Sequence, residues 1–189
     1  DATIAYWSAG QDAQSLRVAT QAAAATALRL QALVPELASA LQAPLRLRIG
    51  IGAGSLFTAV VGGHLGRWEA LLGGDAVRQV AATPMLAMGQ VVLSAAAFAL
   101  VQQDCSATPL AGGGHALDAI TPAPAPLPEV APPAAPTAHL APFVPRHLLR
   151  RLQADPNDRL AELRTASVLF AIARVPDALA SLQTYTLAL

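Results

Sequence analysis

Lysine is absent from this chain. All twelve basic residues are arginine, and twelve acidic residues balance them to a net charge of zero. A chain without a net field has no bulk attraction for nucleic acid or anionic lipid. Charged residues fill only 13% of the 189 positions, about half the share of an ordinary globular domain. Hydrophobic residues fill 54%. That balance excludes a wholly disordered chain, which needs low hydrophobicity and high net charge. The single cysteine, Cys105, excludes an internal disulfide and fits a reducing compartment. No apolar run approaches the roughly 20 residues of a membrane span; the longest clean one is Leu93 to Val101. No signal peptide is visible. The chain opens on Asp1, without an initiator Met, and reads as a piece of something longer. Its length suits one domain, or parts of two.

Proline is unevenly spread. Nine of the fifteen prolines lie between Pro122 and Pro145, eight of them in TPAPAPLPEVAPPAAPTAHLAP. Proline removes a backbone donor and fixes φ, so this stretch is expected as an extended, partly polyproline-II spacer without helix or central strand. It divides the chain into a large segment, residues 1–120, a linker, residues 121–142, and a small segment, residues 143–189.

The large segment mixes two periodicities. Ile4 to Trp7 is a short β-branched and aromatic run that suggests a strand. Leu16, Ala19, Ala23, Ala27, Leu30 and Val34 recur at helical spacing, predicting an amphipathic helix over 12–34 that Pro35 stops or kinks. Leu45, Leu47, Ile49 and Ile51 alternate with Arg46, Arg48 and Gly50, the period of a half-buried strand. Further strands are expected over 56–61, 68–72 and 90–93, a helix start over Asp75 to Ala82 and a helix from Ser94 to Gln102. The triplet Gly112-Gly113-Gly114 is expected as a flexible loop. This order suggests an α+β fold with helices outside the sheet. Beyond the linker, 147–152 reads as a short helix, 165–173 (TASVLFAIA) as a buried strand and 177–189 as a helix. One strand and two short helices cannot bury a core alone, so 143–189 reads as the start of a second domain.

The string LRLRIGIGAGSLFTAVVGGHLGRWEALLGGDAVRQVAATPMLAMGQVVLS resembles the central half of a class III adenylyl/guanylyl cyclase domain. The matching features are Ile49-Gly50-Ile51 with Gly54, the Gly62-Gly63 hairpin, the strand ending at Gly73 before a helix, and Gly89-Gln90 before the next strand. The opening DATIAYWSAG is similar to that family's metal-binding G-D segment. The later FVPRHLLRRLQADPNDRLAELRTASVLFAIARV resembles the passage into the second domain of soluble, bicarbonate-regulated tandem cyclases. The resemblance implies a ferredoxin-like cyclase palm, an antiparallel-rich sheet with helices outside, here incomplete and followed by the Pro-rich linker.

It also implies a reaction, ATP to cyclic AMP and pyrophosphate, in a cytoplasmic parent protein. Two Mg2+ ions held by carboxylates would assist it. Asp1 corresponds to one metal aspartate, and the other would precede it. A frayed terminal residue is the competing reading of Asp1. The family's adenine reader, ribose-positioning Asn and transition-state Arg fall on Ala70, Val77 and Ala81. None of these side chains donates or accepts a hydrogen bond. In tandem cyclases one domain carries the metal aspartates and the other carries those three groups. The pattern therefore implies that this is the metal-bearing domain and that a complementary second cyclase domain is its partner. Ile172, at the second domain's first metal position, agrees. The fragment alone is expected to be inactive. A catalytically dead regulatory or dimerisation module of cyclase type remains open beside this reading, as does a generic α+β ligand-binding domain.

The other candidates have ordinary readings. The family's bicarbonate arginine falls at Val80, so nearby Arg78 reads as a solvated helix residue. Gly73-Gly74-Asp75 could cradle a phosphate at a helix start, but a glycine turn with an acidic first residue suffices. His64, His115, His139 and His147 lack metal-ligand spacing. Arg146, Arg150 and Arg151 form a small basic helix face, to be read as solvated or as a dock for an acidic partner. Cys105 reads as a bystander and Trp7 and Trp68 as packing residues.

Overall fold

The computed structural model describes residues 3–82, 89–122, 124 and 137–154, together with 180, 181, 183, 184 and 187. The chain forms two compact units. One combines Asp1–Phe57 with Gly73–Glu129, and the other combines Thr58–Leu72 with Val130–Leu189. No helix among the described residues is long and apolar enough to cross a membrane.

In the first unit, α1 (Ala13–Leu41) starts at Asp12, whose Oδ1 accepts the Ser15 N–H at 2.8 Å. Capping satisfies one of the donors left open at a helix start. Ala19, Ala22, Ala24 and Ala27 are buried. Of the two outcomes expected at Pro35, a stop or a kink, the stop does not occur. The helix runs on to Gln42, which closes it in the left-handed conformation at φ 50°. Pro35 denies the Gln31 carbonyl its helical partner, but it sits on an exposed turn among strong helix formers, PELASAL. Water can serve the freed carbonyl there, and propensity carries the helix through.

A four-stranded sheet has the order β1 (Ile49–Ile51), β4 (Val91–Leu93), β6 (His115–Ile120), β5 (Cys105–Pro109). The first pair is parallel, with Ile49 opposite Val91 and Ile51 opposite Leu93. The other two pairs are antiparallel. Ile51, Val91, Leu93 and Leu117 form a core with Ala24 and Ala27 of α1 and with Ala97 and Val101 of α3 (Ala95–Val101). Ser94 caps α3 by accepting the Ala97 N–H. The expected α+β class with helices packed on a sheet is therefore observed, with one parallel and two antiparallel pairings.

Several expectations need correction. Residues 3–10 form no strand: Ile4 is 66% exposed and Tyr6 58%. A lone extended segment has no ladder to join among the described residues. The strand expected from Leu45 shrinks to three residues, because β4 offers only three partners. The glycine triplet is the tip of a hairpin rather than a flexible loop. Gly113 and Gly114 take φ of 95° and 79°, and Leu110 exchanges backbone bonds with both. That hairpin joins β5 and β6, two strands the sequence did not announce.

In the second unit, β2 (Phe57–Gly62) and β3 (Trp68–Gly73) form a two-stranded sheet whose terminal residues, Phe57 and Gly73, belong to the first unit. A five-residue connection of this kind permits only an antiparallel pair. Its turn is closed by Gly63 N–H donating to the Arg67 carbonyl at 2.7 Å. A side chain on Gly62 would lie 2.5 Å from the Arg67 carbonyl oxygen, so the hairpin requires glycine there. The Gln183 amide bonds both backbone groups of Gly62. Within the proline-rich stretch, Thr137–Leu140 is α4 and Ala141–Phe143 a 3-10 turn. Proline is tolerated in the first helical turn, so two short turns fit between Pro136 and Pro145. Arg146–Ala154 is α5. The strand expected over 165–173, with Ile172, lies outside the described residues.

Candidate functional site

The parallel pair β1 and β4 ends on one rim, and α2 (Asp75–Ala82) starts there. Ligands of open α/β sheets commonly bind outside the carboxyl ends of parallel strands, so this rim is the natural place to look. Close glycine contacts make the approach. A Cβ on Gly52 would lie 2.2 Å from the Ala76 carbonyl oxygen, and one on Gly74 2.4 Å from the Ser55 carbonyl oxygen. Gly74 also has φ of 113°, which other residues rarely adopt. Gly73 packs under the Phe57 ring, which a Cβ would meet at 2.4 Å.

Polar groups then stitch α2 to the rim. Ser55 Oγ donates to Asp75 Oδ2 at 2.6 Å, and Ala76 N–H donates to the Ser55 carbonyl at 3.2 Å. Gln79 holds the loop after β1 with both ends of its amide. Its Nε2 donates to the Ala53 carbonyl at 2.9 Å, and its Oε1 accepts the Ala53 N–H at 3.1 Å. The same Oε1 accepts from Ser94 Oγ at 2.7 Å, which reaches the end of β4. Asp75 is held below the ordinary carboxylate range by its Ser55 hydrogen bond first and by Arg78 second. It is an anion engaged by its neighbours, and its role is to seat the helix.

Asp1, the candidate metal ligand, lies outside the described residues. Ala70 is an exposed residue of β3. Val77 and Ala81 share one face of α2, four residues apart. Arg78 pairs with Asp75 and is largely exposed, while Val80 is 39% exposed. Among the described residues no three His, Cys, Asp or Glu side chains gather to hold a metal. His64 sits in the hairpin turn and His139 on α4. His147 belongs to α5. His115 stacks on Phe98 with ring centroids 3.7 Å apart, and its buried Nδ1 has no hydrogen-bond partner among the described residues. Trp7 is half-buried, and the Trp68 ring lies against Gly63. Arg146 and Arg150 are exposed on α5.

Sequence reasoning missed Gln79, Ser55 and Ser94, and also a second cluster. Asp104 Oδ2 accepts from Arg17 at 2.6 Å and from Gln21 Nε2 at 2.8 Å. Only the tertiary fold brings these residues together, and no local pattern signals them. Beside Asp104, the Cys105 thiol is pushed up by burial first and by the Asp104 carboxylate second. It is held as a thiol, as the bystander reading expects.

No family model matches the chain, and no curated protein matches it.

Proposed function

We propose that this chain is the metal-bearing half of a class III nucleotidyl cyclase of the soluble, tandem type. Its parent protein converts ATP to cyclic AMP and pyrophosphate in the cytoplasm. The observation that carries the reading is a convergence. The Ile49-Gly50-Ile51 motif with Gly54 and the Gly73-Gly74 helix start lie about twenty residues apart, yet Ser55 and Asp75 bond to each other. Gly89-Gln90 leads into β4, which pairs directly with the first motif at Ile49–Ile51. Three motifs that resemble the family thus meet along one parallel strand pair: Gly54 and Gly73-Gly74 at its carboxyl end, and Gly89-Gln90 at its amino end. The cyclase palm is the finer fold this reading assigns to the mixed sheet.

The reaction joins the ribose 3′-oxygen to the α-phosphorus and releases pyrophosphate. Magnesium, when bound, would neutralise the charge that develops on the phosphates. The described residues do not form a magnesium site by themselves, since no three metal-ligating side chains gather among them. The proposal therefore rests metal binding on Asp1 and residues beyond the described ones, and no step is routed through the ion. The described residues supply the rim. Ala70, Val77 and Ala81 present only alkyl groups, which cannot read adenine, orient ribose or stabilise a phosphate. Those tasks fall to a complementary cyclase domain, whose beginning the reading sees in residues 143–189. Adenine rather than guanine rests on the resemblance to soluble tandem cyclases. A second reading, a catalytically dead module of cyclase type, draws on the same three alkyl side chains.

The test is a cyclic AMP assay with magnesium and ATP. The 189-residue chain alone is expected to form none. Extended upstream to include the other metal aspartate and joined to its complementary domain, it is expected to form cyclic AMP, and Asp1→Asn should cut that rate by about a hundredfold, the scale of losing a charged transition-state contact. Cyclic AMP from the chain alone would overturn the split site. A joined protein that stays inactive would favour the dead module.

A further inference from the structure

Within the second unit, the tip of the β2–β3 hairpin and helix α5 enclose a cleft of about 820 Å3. His64, Leu65 and Arg67 line it from the hairpin, and Arg146, Leu149 and Arg150 from the helix. The Arg146 guanidinium donates to the Leu65 carbonyl and ties the two walls together. The charges in the cleft do not cancel. Arg67 is neutralised by Glu69 at 2.8 Å. The remaining ion pairs among the described residues are Arg17–Asp104 and Arg78–Asp75, both in the first unit. Glu69 also lines the cleft, but its carboxylate is engaged by Arg67, and among the described residues Arg146 and Arg150 have no carboxylate partner. Their further bonds go to backbone carbonyls, Leu65 for the one and Arg146 at 3.4 Å for the other. This leaves most of their donors open.

We propose that this cleft binds a small phosphate monoester with an apolar body. Residues four apart on a helix are neighbours, so both guanidiniums can converge on one phosphate. The planar fork of arginine matches phosphate oxygens in pairs, and two unneutralised arginines match the double charge of a monoester. Leu149 lies between them in sequence and, with Leu65, gives the cleft an apolar wall. A bare phosphate would leave that wall in water. The volume falls within the range of small-molecule sites. The chain as a whole carries no net charge, so the attraction is local to this cleft and does not extend to a polyanion. The proposal stands apart from the cyclase reading, since none of these residues has a role there.

Phenyl phosphate titrated into the 189-residue chain by calorimetry tests it. One saturable site is expected, with inorganic phosphate at least about tenfold weaker and phenol not bound. Arg150→Gln and Arg146→Gln should each weaken phenyl phosphate by about tenfold or more, the scale of one charge-assisted contact. Arg29→Gln, exposed on α1, should leave binding unchanged. Arg146 also braces the hairpin, so Arg150→Gln, with an unaltered circular dichroism spectrum, is the deciding variant. No saturable binding overturns the proposal. So does binding that Arg150→Gln leaves intact, or inorganic phosphate bound as tightly as phenyl phosphate.

Discussion

Asp104 accepts a 2.6 Å hydrogen bond from Arg17 and so clasps the turn before β5 to the first turns of α1, 87 positions earlier in the chain. Gln21 adds a third donor to the same oxygen, after Arg17 Nε and Nη2. The Arg17 bond, first among the causes, holds the Asp104 carboxyl below its usual range. A carboxyl with a lowered folded value stabilises the fold above the unfolded value. That stabilisation disappears as pH falls through the folded value. Asp104→Asn is therefore expected to melt at a lower temperature than the wild type from about pH 5 upward. The gap should close in strong acid. Melting curves from pH 2 to 7 check this, and a gap that persists unchanged to pH 2 contradicts it.

Two glycines separate contact from backbone strain. Gly52 meets the Ala76 carbonyl oxygen at once if given a Cβ, whereas Gly66 has nothing within 4 Å but sits at φ 73°. Gly66→Ala should cost about 1 kcal/mol, the usual penalty for a left-handed alanine. Gly52→Ala should cost at least about 2 kcal/mol, because α2 must move off the rim. Urea unfolding measures both. Equal losses would mean that α2 is not seated as described.

The seat of α2 was half legible. Glycines and an acidic residue punctuate its start, and 75–82 was expected to begin a helix. Its anchor, Gln79, was not legible, because nothing local distinguishes a glutamine that clamps a loop from one in water. Strands β5 and β6 escaped for a related reason. CSATP has one proline, one half-buried cysteine and no apolar alternation, so its strand character comes from pairing with β6. The reverse error occurred at Ile4–Trp7, where β-branched and aromatic residues suggested a strand but no partner is present among the described residues. At Pro35 a local rule lost to helix propensity on an exposed turn.

That last contest makes a prediction. Pro35 is exposed, so replacing it opens no cavity. Pro35→Ala restores a donor for the Gln31 carbonyl and relieves the ring's clash with the preceding turn. Against that gain stands the greater freedom of the unfolded chain, about 1 kcal/mol. A net stabilisation of about 1–2 kcal/mol is expected, with more helical signal by circular dichroism. A loss of stability would mean that the proline bends α1 to fit the sheet.

Leu93 is fully buried at the join of β4 with the parallel strand β1 and the helix layer. Ala97 and Val101 of α3 are equally buried in that cluster, so little can collapse into a gap. Leu93→Ala should cost about 3 kcal/mol, the transfer of the side chain plus the cavity left behind. Leu30→Ala, on the 46% exposed outer half of α1, should cost under about 1 kcal/mol. Similar losses at the two sites would show that the outer half of α1 is covered in solution.

The lone cysteine allows the Asp104 site to be read a second way. Burial and the neighbouring carboxylate both hold Cys105 as a thiol, and only the thiolate reacts with alkylating agents. Iodoacetamide should therefore modify the folded chain far more slowly at pH 8 than the same chain in urea. In Asp104→Asn the carboxylate is gone while the burial remains. The midpoint of the rate against pH should move downward, yet stay above that of the unfolded chain. Local opening would raise the rate at every pH without moving the midpoint, so the two causes separate in one experiment. A midpoint identical in wild type and variant would show that the carboxylate does not act on the sulfur, and that burial alone governs its reactivity.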